Sequence, residues 1–169
     1  MAEFTVYAGS ASGWDSSSDA TGAPNASWAY ESSTLNDTKY LILGDFGILT
    51  ELPANAIVNS LAIAAYIKGQ HYSAMSKTVT ARLAAYIDSS VQTPEEVAFY
   101  FASPATLSNT YTSGASVDPA NLTDALFKVR LTARFTNMDG TALKAECDYV
   151  AVTVNYSLPG VGLEMGCNF

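Results

Sequence analysis

The sequence has few of the residues from which catalytic and metal sites are built. Its 169 residues include one histidine, His71, and two cysteines, Cys147 and Cys167. A single imidazole excludes metal sites that need two or more histidines from one chain. Ser73 and Ser76 lie close to His71 in sequence, but no Gly-x-Ser-x-Gly motif of a serine hydrolase is present. We therefore expect a loop histidine, no catalytic residue, no metal and no cofactor, so that the protein is not an enzyme.

Two pairs of residues, one of carboxylates and one of cysteines, each allow more than one interpretation. Glu146 and Asp148 fall on one face of an expected strand, where they could share a cation or act as an acid/base pair. A solvated face beside Lys144 is the favoured interpretation. A disulfide between the two cysteines is also open, although free thiols are favoured because cytosolic thiols normally stay reduced.

Positive charge is scarce, above all at the N-terminus. The net charge is −8, and residues 1–38 contain five carboxylates but no lysine or arginine. Such a chain repels phosphate backbones, so we expect no nucleic-acid partner. No apolar run approaches the roughly 20 residues that cross a bilayer, so we expect no membrane partner. The segment 1–37 is interpreted as an acidic, Ser/Gly-rich arm whose residues 2–24 could be deleted with little effect on melting.

Period-2 alternation is the strongest positive signal. In residues 127–136, Val129, Leu131, Ala133 and Phe135 alternate with charged residues and threonines, as in a strand with one buried face. A second strand, clearest at 149–156, follows the turn signal Asp139-Gly140. The two strands are interpreted as a long hairpin. Strands at 57–68 and 77–88 are separated by a loop that suits a second hairpin.

The patterns in the rest of the sequence also indicate an all-β fold. About eight strands in two packed antiparallel sheets are expected, with one short helical turn capped by Asp118 and opened by Pro119. The sandwich domain is assigned to residues 38–157 and an apolar C-terminal tail to residues 158–169. We expect the arm and the tail to contact partners through Phe4, Val6, Tyr7, Trp14, Trp28, Val161, Leu163, Met165 and Phe169.

Short motifs follow one another in a recognisable order from about Pro24 to Ser157: Asn25-Ala26 before Tyr30, Tyr40-Leu41, Phe46-Gly47, Leu52–Leu61, Arg82-Leu83, Asp118–Leu122 before Val129–Leu131, and Cys147–Tyr156. This order resembles a jelly-roll-like β-sandwich module of tailed-bacteriophage structural proteins. Those modules typically carry Ile-Pro-x-Gly-Ala-x-Ile-x-Gly-Ile where this chain has Leu52–Leu61, with Asn55 and Ser60 at the glycine positions.

The resemblance implies a virion accessory protein, assembled in the host cytoplasm and located on the particle, with the head surface favoured over the tail. A capsid decoration or cement protein would bind the major capsid protein as a homo-oligomer, with a trimer favoured; a head-fibre protein is also implied. The alternative is a carbohydrate- or receptor-binding module of a tail or head fibre that binds a host-surface glycan. In that case Trp14 and Trp28 could stack on sugars, although both are expected off the sheet faces.

Overall fold

The computed structural model describes residues 1–69, 71–72, 77–92, 95–98, 104–112 and 117–159. These residues form twelve strands in two antiparallel sheets with a shared core. The predicted all-β, two-sheet sandwich is therefore confirmed, with more strands than the roughly eight that alternation indicated. In the same ranges, no helix is long and apolar enough to cross a membrane.

The strands in chain order are β1 (Ala2–Tyr7), β2 (Ser10–Ser12), β3 (Ala29–Ser33), β4 (Thr38–Gly44), β5 (Ile57–Gly69), β6 (His71–Tyr72), β7 (Lys77–Ile87), β8 (Ser90–Val91), β9 (Glu95–Ala98), β10 (Ala105–Tyr111), β11 (Phe127–Thr136) and β12 (Leu143–Ser157). Sheet A has the order β1-β12-β5-β10, and β3 also pairs with β12. Sheet B has the order β2-β4-β11-β7-β6, and β8 and β9 also pair with β7. Helical structure in the described ranges comprises α1 (Ile48–Glu51) and 3-10 turns that include Ser17–Ala20 and Pro119–Asn121.

The buried faces of the long strands are the ones that alternation predicted. Along β11, Val129, Leu131, Ala133 and Phe135 are almost fully buried, while Arg134 is exposed. The predicted inward residues of β5 and β7 are also buried. Apolar side chains from both sheets meet between them and exclude water, which is the main stabilising term of the fold.

Both predicted hairpins are wrong. Strand β11 pairs with β4 and β7 in sheet B, whereas β12 pairs with β1, β3 and β5 in sheet A. The connection at residues 137–142 therefore crosses from one sheet to the other. Strands β5 and β7 are separated between the sheets in the same way. Alternation shows which face of a strand is buried but not which strand lies beside it, so it cannot distinguish a hairpin from a crossover.

A β-bulge divides the closing strand, β12. Its register against β5 shifts between Cys147 and Tyr149, so Asp148 is the extra residue. Before the bulge, odd-numbered residues such as Cys147 face the core; after it, even-numbered residues such as Val150 do. The bulge thus allows a fifteen-residue strand to keep one buried face while its pattern changes phase.

The N-terminal segment is part of the sandwich, and its interpretation as a separate arm is corrected. Strand β1 pairs with residues 151–156 of β12, and β2 pairs with residues 42–44 of β4. Trp14 is only 5% exposed and Ala20 is fully buried in the core. Residues 2–24 therefore contribute edge strands and core side chains, so their deletion must destabilise the fold.

The predicted cap at Asp118 matches the structure. The Asp118 carboxylate accepts a hydrogen bond of 3.0 Å from the Ala120 N–H and caps the 3-10 turn that Pro119 opens. In the turn before β5, Asn55 has a φ of 63°. That left-handed conformation suits glycine, and asparagine tolerates it better than most residues. The replacement of the resembled family's glycine by Asn55 is thus compatible with the same turn.

Candidate functional site

An open groove lies on the outer face of sheet B, away from the core. Its cavity has a volume of about 310 Å³ and is lined by Thr38, Tyr40, Arg82, Arg130, Thr132 and Arg134. These residues occupy three neighbouring strands, β4, β11 and β7. The lining includes every arginine of a chain whose net charge is −8. We call this surface the arginine groove.

The strand register concentrates the arginines around one hydroxyl group. Thr132 of β11 lies opposite Tyr40 on one side and Arg82 on the other. Arg130 and Arg134 are two residues before and after Thr132 on the same strand, about 7 Å away along the chain. The groove therefore has a threonine at its centre, an aromatic ring on one side and positive charge on the other three.

Arg130 is held by aromatic rings. Its Cζ atom is 5.1 Å from the ring centroid of Tyr40 and 5.4 Å from that of Tyr86, within the range of a cation–π interaction. Among the described residues, neither Arg130 nor Arg134 forms an ion pair. The rings thus orient the Arg130 guanidinium without a carboxylate to accept from its N–H groups.

Two carboxylates near the groove are paired with lysines. Asp37 lines an adjoining cavity of about 200 Å³ together with Arg134, and its Oδ2 atom is 3.4 Å from Lys39 Nζ. Asp45 Oδ1 is 3.7 Å from Nζ of Lys128, the outward residue at the start of β11. Each of these carboxylates lies near a lysine, and among the described residues neither forms an ion pair with Arg130 or Arg134.

The outer face of sheet A has a different character, with a row of four aromatic rings. Tyr7 of β1 and Tyr149 of β12 have ring centroids 6.0 Å apart, Tyr149 and Tyr66 of β5 are 5.6 Å apart, and Tyr66 and Trp28 are 5.7 Å apart. The Lys68 ammonium lies 3.9 Å from the centroid of the Trp28 ring. We call these four residues the aromatic row.

The aromatic row joins the N-terminal segment to the sheet. Tyr7 and Trp28 belong to that segment, while Tyr66 and Tyr149 belong to the two central strands. Burial, and secondarily the neighbouring Tyr7, raises the pKa of Tyr149, so its hydroxyl stays neutral. Each ring already contacts another ring, and Trp28 also contacts the Lys68 ammonium. The main effect of the row is therefore to hold the N-terminal segment against sheet A.

None of the predicted partner-binding residues that the structure describes lines the arginine groove. Phe4 and Val6 are half-buried and pack against the core, whereas Tyr7 and Trp28 belong to the aromatic row. Trp14 is a buried core residue, so the expectation that it contacts a partner or stacks on a sugar is corrected. Trp28 lies against a sheet face, contrary to expectation. The other four predicted residues lie outside the described ranges: Val161, Leu163, Met165 and Phe169.

Glu146 and Asp148, for which a solvated face was favoured over a shared cation or acid/base site, lie in different surroundings. Glu146 lies 3.1 Å from Lys144 and 3.5 Å from Lys68. Asp148 is 4% exposed in the bulge, where its carboxylate accepts from the Asn25 N–H at 3.5 Å. The structure describes no group of three or more residues suited to hold a metal in the ranges covered. His71, predicted as a loop residue, lies instead in the short strand β6, where the structure describes only its backbone.

Cys147 is a buried free thiol on the inner side of β12. Burial raises its pKa, and the adjacent Asp148 carboxylate raises it further. The thiol therefore stays protonated and shielded, which is unsuitable for a nucleophile.

Sequence reasoning missed the arginine groove, although one signal was present. Arg130 and Arg134 stand at alternate outward positions of β11, and Arg82 stands at an outward position of β7. Only the pairing of β7 with β11 brings the three together.

Comparisons with known proteins assign no family. No protein-family profile and no curated protein matches the chain. Among solved structures, a CBM4 structure is 13% identical, covers 89% of this chain and 94% of its own, and has a TM-score of 0.46. The CBM22-1 xylan-binding domain from Paenibacillus barcinonensis is 6% identical, with coverages of 78% and 84% and a TM-score of 0.33. A subunit of the cowpea mosaic virus top component is 12% identical, with coverages of 95% and 91% and a TM-score of 0.39. Similarities at this level carry no inference about function.

Proposed function

We propose that this protein is a non-enzymatic structural component of a bacteriophage particle, a decoration or cement protein that attaches to the capsid shell. The order of motifs from Pro24 to Ser157 supports this proposal. The turn at Asn55 adds support, since its left-handed backbone is the conformation that glycine, the residue of the resembled motif, adopts most readily.

The observation that carries an attachment function is the arginine groove. An acidic protein that collects every arginine on one open sheet face has built a surface for a specific anionic partner. Charge complementarity of this kind fixes register and suppresses wrong partners, which a repeating shell requires. In this proposal, the protein binds the shell through the outer face of sheet B, and the rest of its acidic surface stays exposed to solvent.

Immunogold electron microscopy of the source phage tests the proposal. Antibody to this protein should place gold over the head of intact particles. Gold confined to the tail or tip would instead support host recognition. An absence of gold on intact particles, with the protein present in the lysate, would overturn the virion proposal.

A second candidate, binding of a host-surface glycan, is favoured by one observation. Trp28 lies beside Tyr66 on the outer face of sheet A, where aromatic rings can stack on sugars. The contacts that the rings already make with one another and with Lys68 weigh against it. A glycan array tests it: binding that is lost on Trp28→Ala, in a variant that still folds, would favour this function over capsid attachment.

A further inference from the structure

We propose that the arginine groove is the docking site for an acidic segment of a partner protein, with aspartate or glutamate carboxylates seated on Arg130 and Arg134. The identity of that partner as a virion protein rests on the proposed function. The chemistry of the site rests on the groove alone.

The spacing of the arginines suits an extended acidic segment. Arg130 and Arg134 are four residues apart on β11, so their Cα atoms are about 13 Å apart along the strand. An extended peptide covers that distance in about four residues. Thr132 lies between the two arginines and supplies a hydroxyl that can donate to or accept from the peptide.

The arrangement of Arg130 favours carboxylate over a diffuse anion. The rings of Tyr40 and Tyr86 hold the guanidinium at 5.1 Å and 5.4 Å. A guanidinium presents paired N–H donors that match the two oxygens of one carboxylate. The two ring contacts restrict the Arg130 side chain and so lower the entropy that is lost when the ligand arrives.

The charge of the whole molecule limits the length of the ligand. Outside the groove the surface is dominated by carboxylates, and the net charge is −8. A long polyanion such as nucleic acid would be repelled wherever it ran past the groove. A short acidic segment on an otherwise neutral or basic protein surface meets no such repulsion. The observations therefore favour a protein partner over a nucleic acid.

Fluorescence anisotropy with a labelled hexaglutamate peptide tests the site. The full-length protein should bind this peptide at low salt and should not bind hexaglutamine. The double variant Arg130→Gln/Arg134→Gln should weaken binding by about 10-fold or more, since it removes two charge-assisted contacts. The matched control Lys68→Gln/Lys144→Gln removes the same charge from the outer face of sheet A and should bind like the wild type.

Three results would overturn the proposal. Hexaglutamate could fail to bind at low salt, or the double variant could bind as tightly as the control variant. Alternatively, hexagalacturonate, which carries carboxylates on sugars, could bind more tightly than the peptide through the same arginines, in which case the ligand is a glycan. Circular dichroism of each variant establishes that it is folded.

A particle-binding assay separates this inference from the proposed function. Wild-type protein is added to phage heads that have been stripped of it. Binding by the wild type and the control variant, but not by the double arginine variant, supports both. Binding by all three would overturn the role of the groove and leave the virion function standing. The wild type could instead fail to bind heads while hexaglutamate binding still depends on the arginines. That result would overturn the virion function and support the arginine groove as a binding site for acidic segments.

Discussion

The two outer faces of the sandwich use their interacting side chains in opposite ways. On sheet A, the aromatic row and Lys68 satisfy one another, and Glu146 lies near two lysines. On sheet B, Arg130 and Arg134 have no ion-pair partner among the described residues, and Arg82 lines the same groove. The charges of the first face are balanced within the chain, whereas the second face presents two arginines that have no ion pair in the described part of the chain.

We expect this difference to separate groups that stabilise the fold from groups that bind a partner. Neighbouring like charges such as those of Arg130 and Arg134 repel one another, and the proposed ligand would offset this repulsion by supplying the opposite charge. Aromatic contacts that are already satisfied contribute to stability and give less to a partner. We expect substitutions on the two faces to separate along these lines.

The largest effect should come from removing the segment that the aromatic row holds. Deletion of residues 2–24 removes β1, β2 and Trp14, and loss of a buried tryptophan alone costs about 3–5 kcal/mol. Since typical domains are stable by about 5–15 kcal/mol, the truncated protein should lose most of its cooperative thermal transition. Glu3→Gln, on the exposed side of β1, is the control. An unchanged melting temperature after the deletion would restore the interpretation as a free arm.

A smaller effect is expected from opening the aromatic row at its centre. Tyr66 contacts both Trp28 and Tyr149, so Tyr66→Ala should lower the free energy of unfolding by about 2 kcal/mol. Tyr40→Ala on sheet B, where the ring is 47% exposed, should cost less than about 1 kcal/mol. Urea unfolding measures both. Equal losses would mean that the faces do not differ in the way described.

Substitutions in the arginine groove should change stability less. Arg130→Gln/Arg134→Gln relieves repulsion between the arginines but removes the cation–π contacts of Arg130 and makes the net charge more negative, so the free energy of unfolding should change by less than about 0.5 kcal/mol at low salt. Salt should reduce any difference because it screens exposed charges. Thermal melts at low and high ionic strength provide the measurement. A loss above about 1 kcal/mol would identify these arginines as structural.

The smallest effect concerns Glu31 on β3, at the edge of sheet A. Burial raises its pKa, the Lys39 charge lowers it, and Asp15 and Asp37 raise it again. A carboxyl with a raised folded-state pKa gives stability that is full below the unfolded pKa and is lost as pH rises through the folded pKa. Glu31→Gln should therefore melt slightly higher than the wild type at pH 7 and equally at about pH 3. A gain that persists at low pH would contradict this cause.

The elements were more predictable than their arrangement. Alternation located β5, β7 and β11 with their correct buried faces, because a strand with one face in the core and one in solvent needs apolar and polar residues at alternate positions. It assigned both hairpins wrongly because strand partners are chosen by packing between distant segments. Alternation also missed the change of phase in β12. There the bulge at Asp148 keeps one face of the strand buried although the buried positions change from odd to even numbers.

The candidate site, like the fold, could be predicted only in part. Residue type and local spacing were enough to predict the all-β class, the inward residues, the Asp118 cap and the scarcity of catalytic groups. Tertiary structure alone decided that the N-terminal segment closes sheet A, that Trp14 is buried while Trp28 lies on a face, and that β7 lies beside β11. That last pairing brings Arg82 to Arg130 and Arg134 across about fifty residues of chain. Local patterns cannot encode such a contact, because its energy is realised only when the two strands are already side by side.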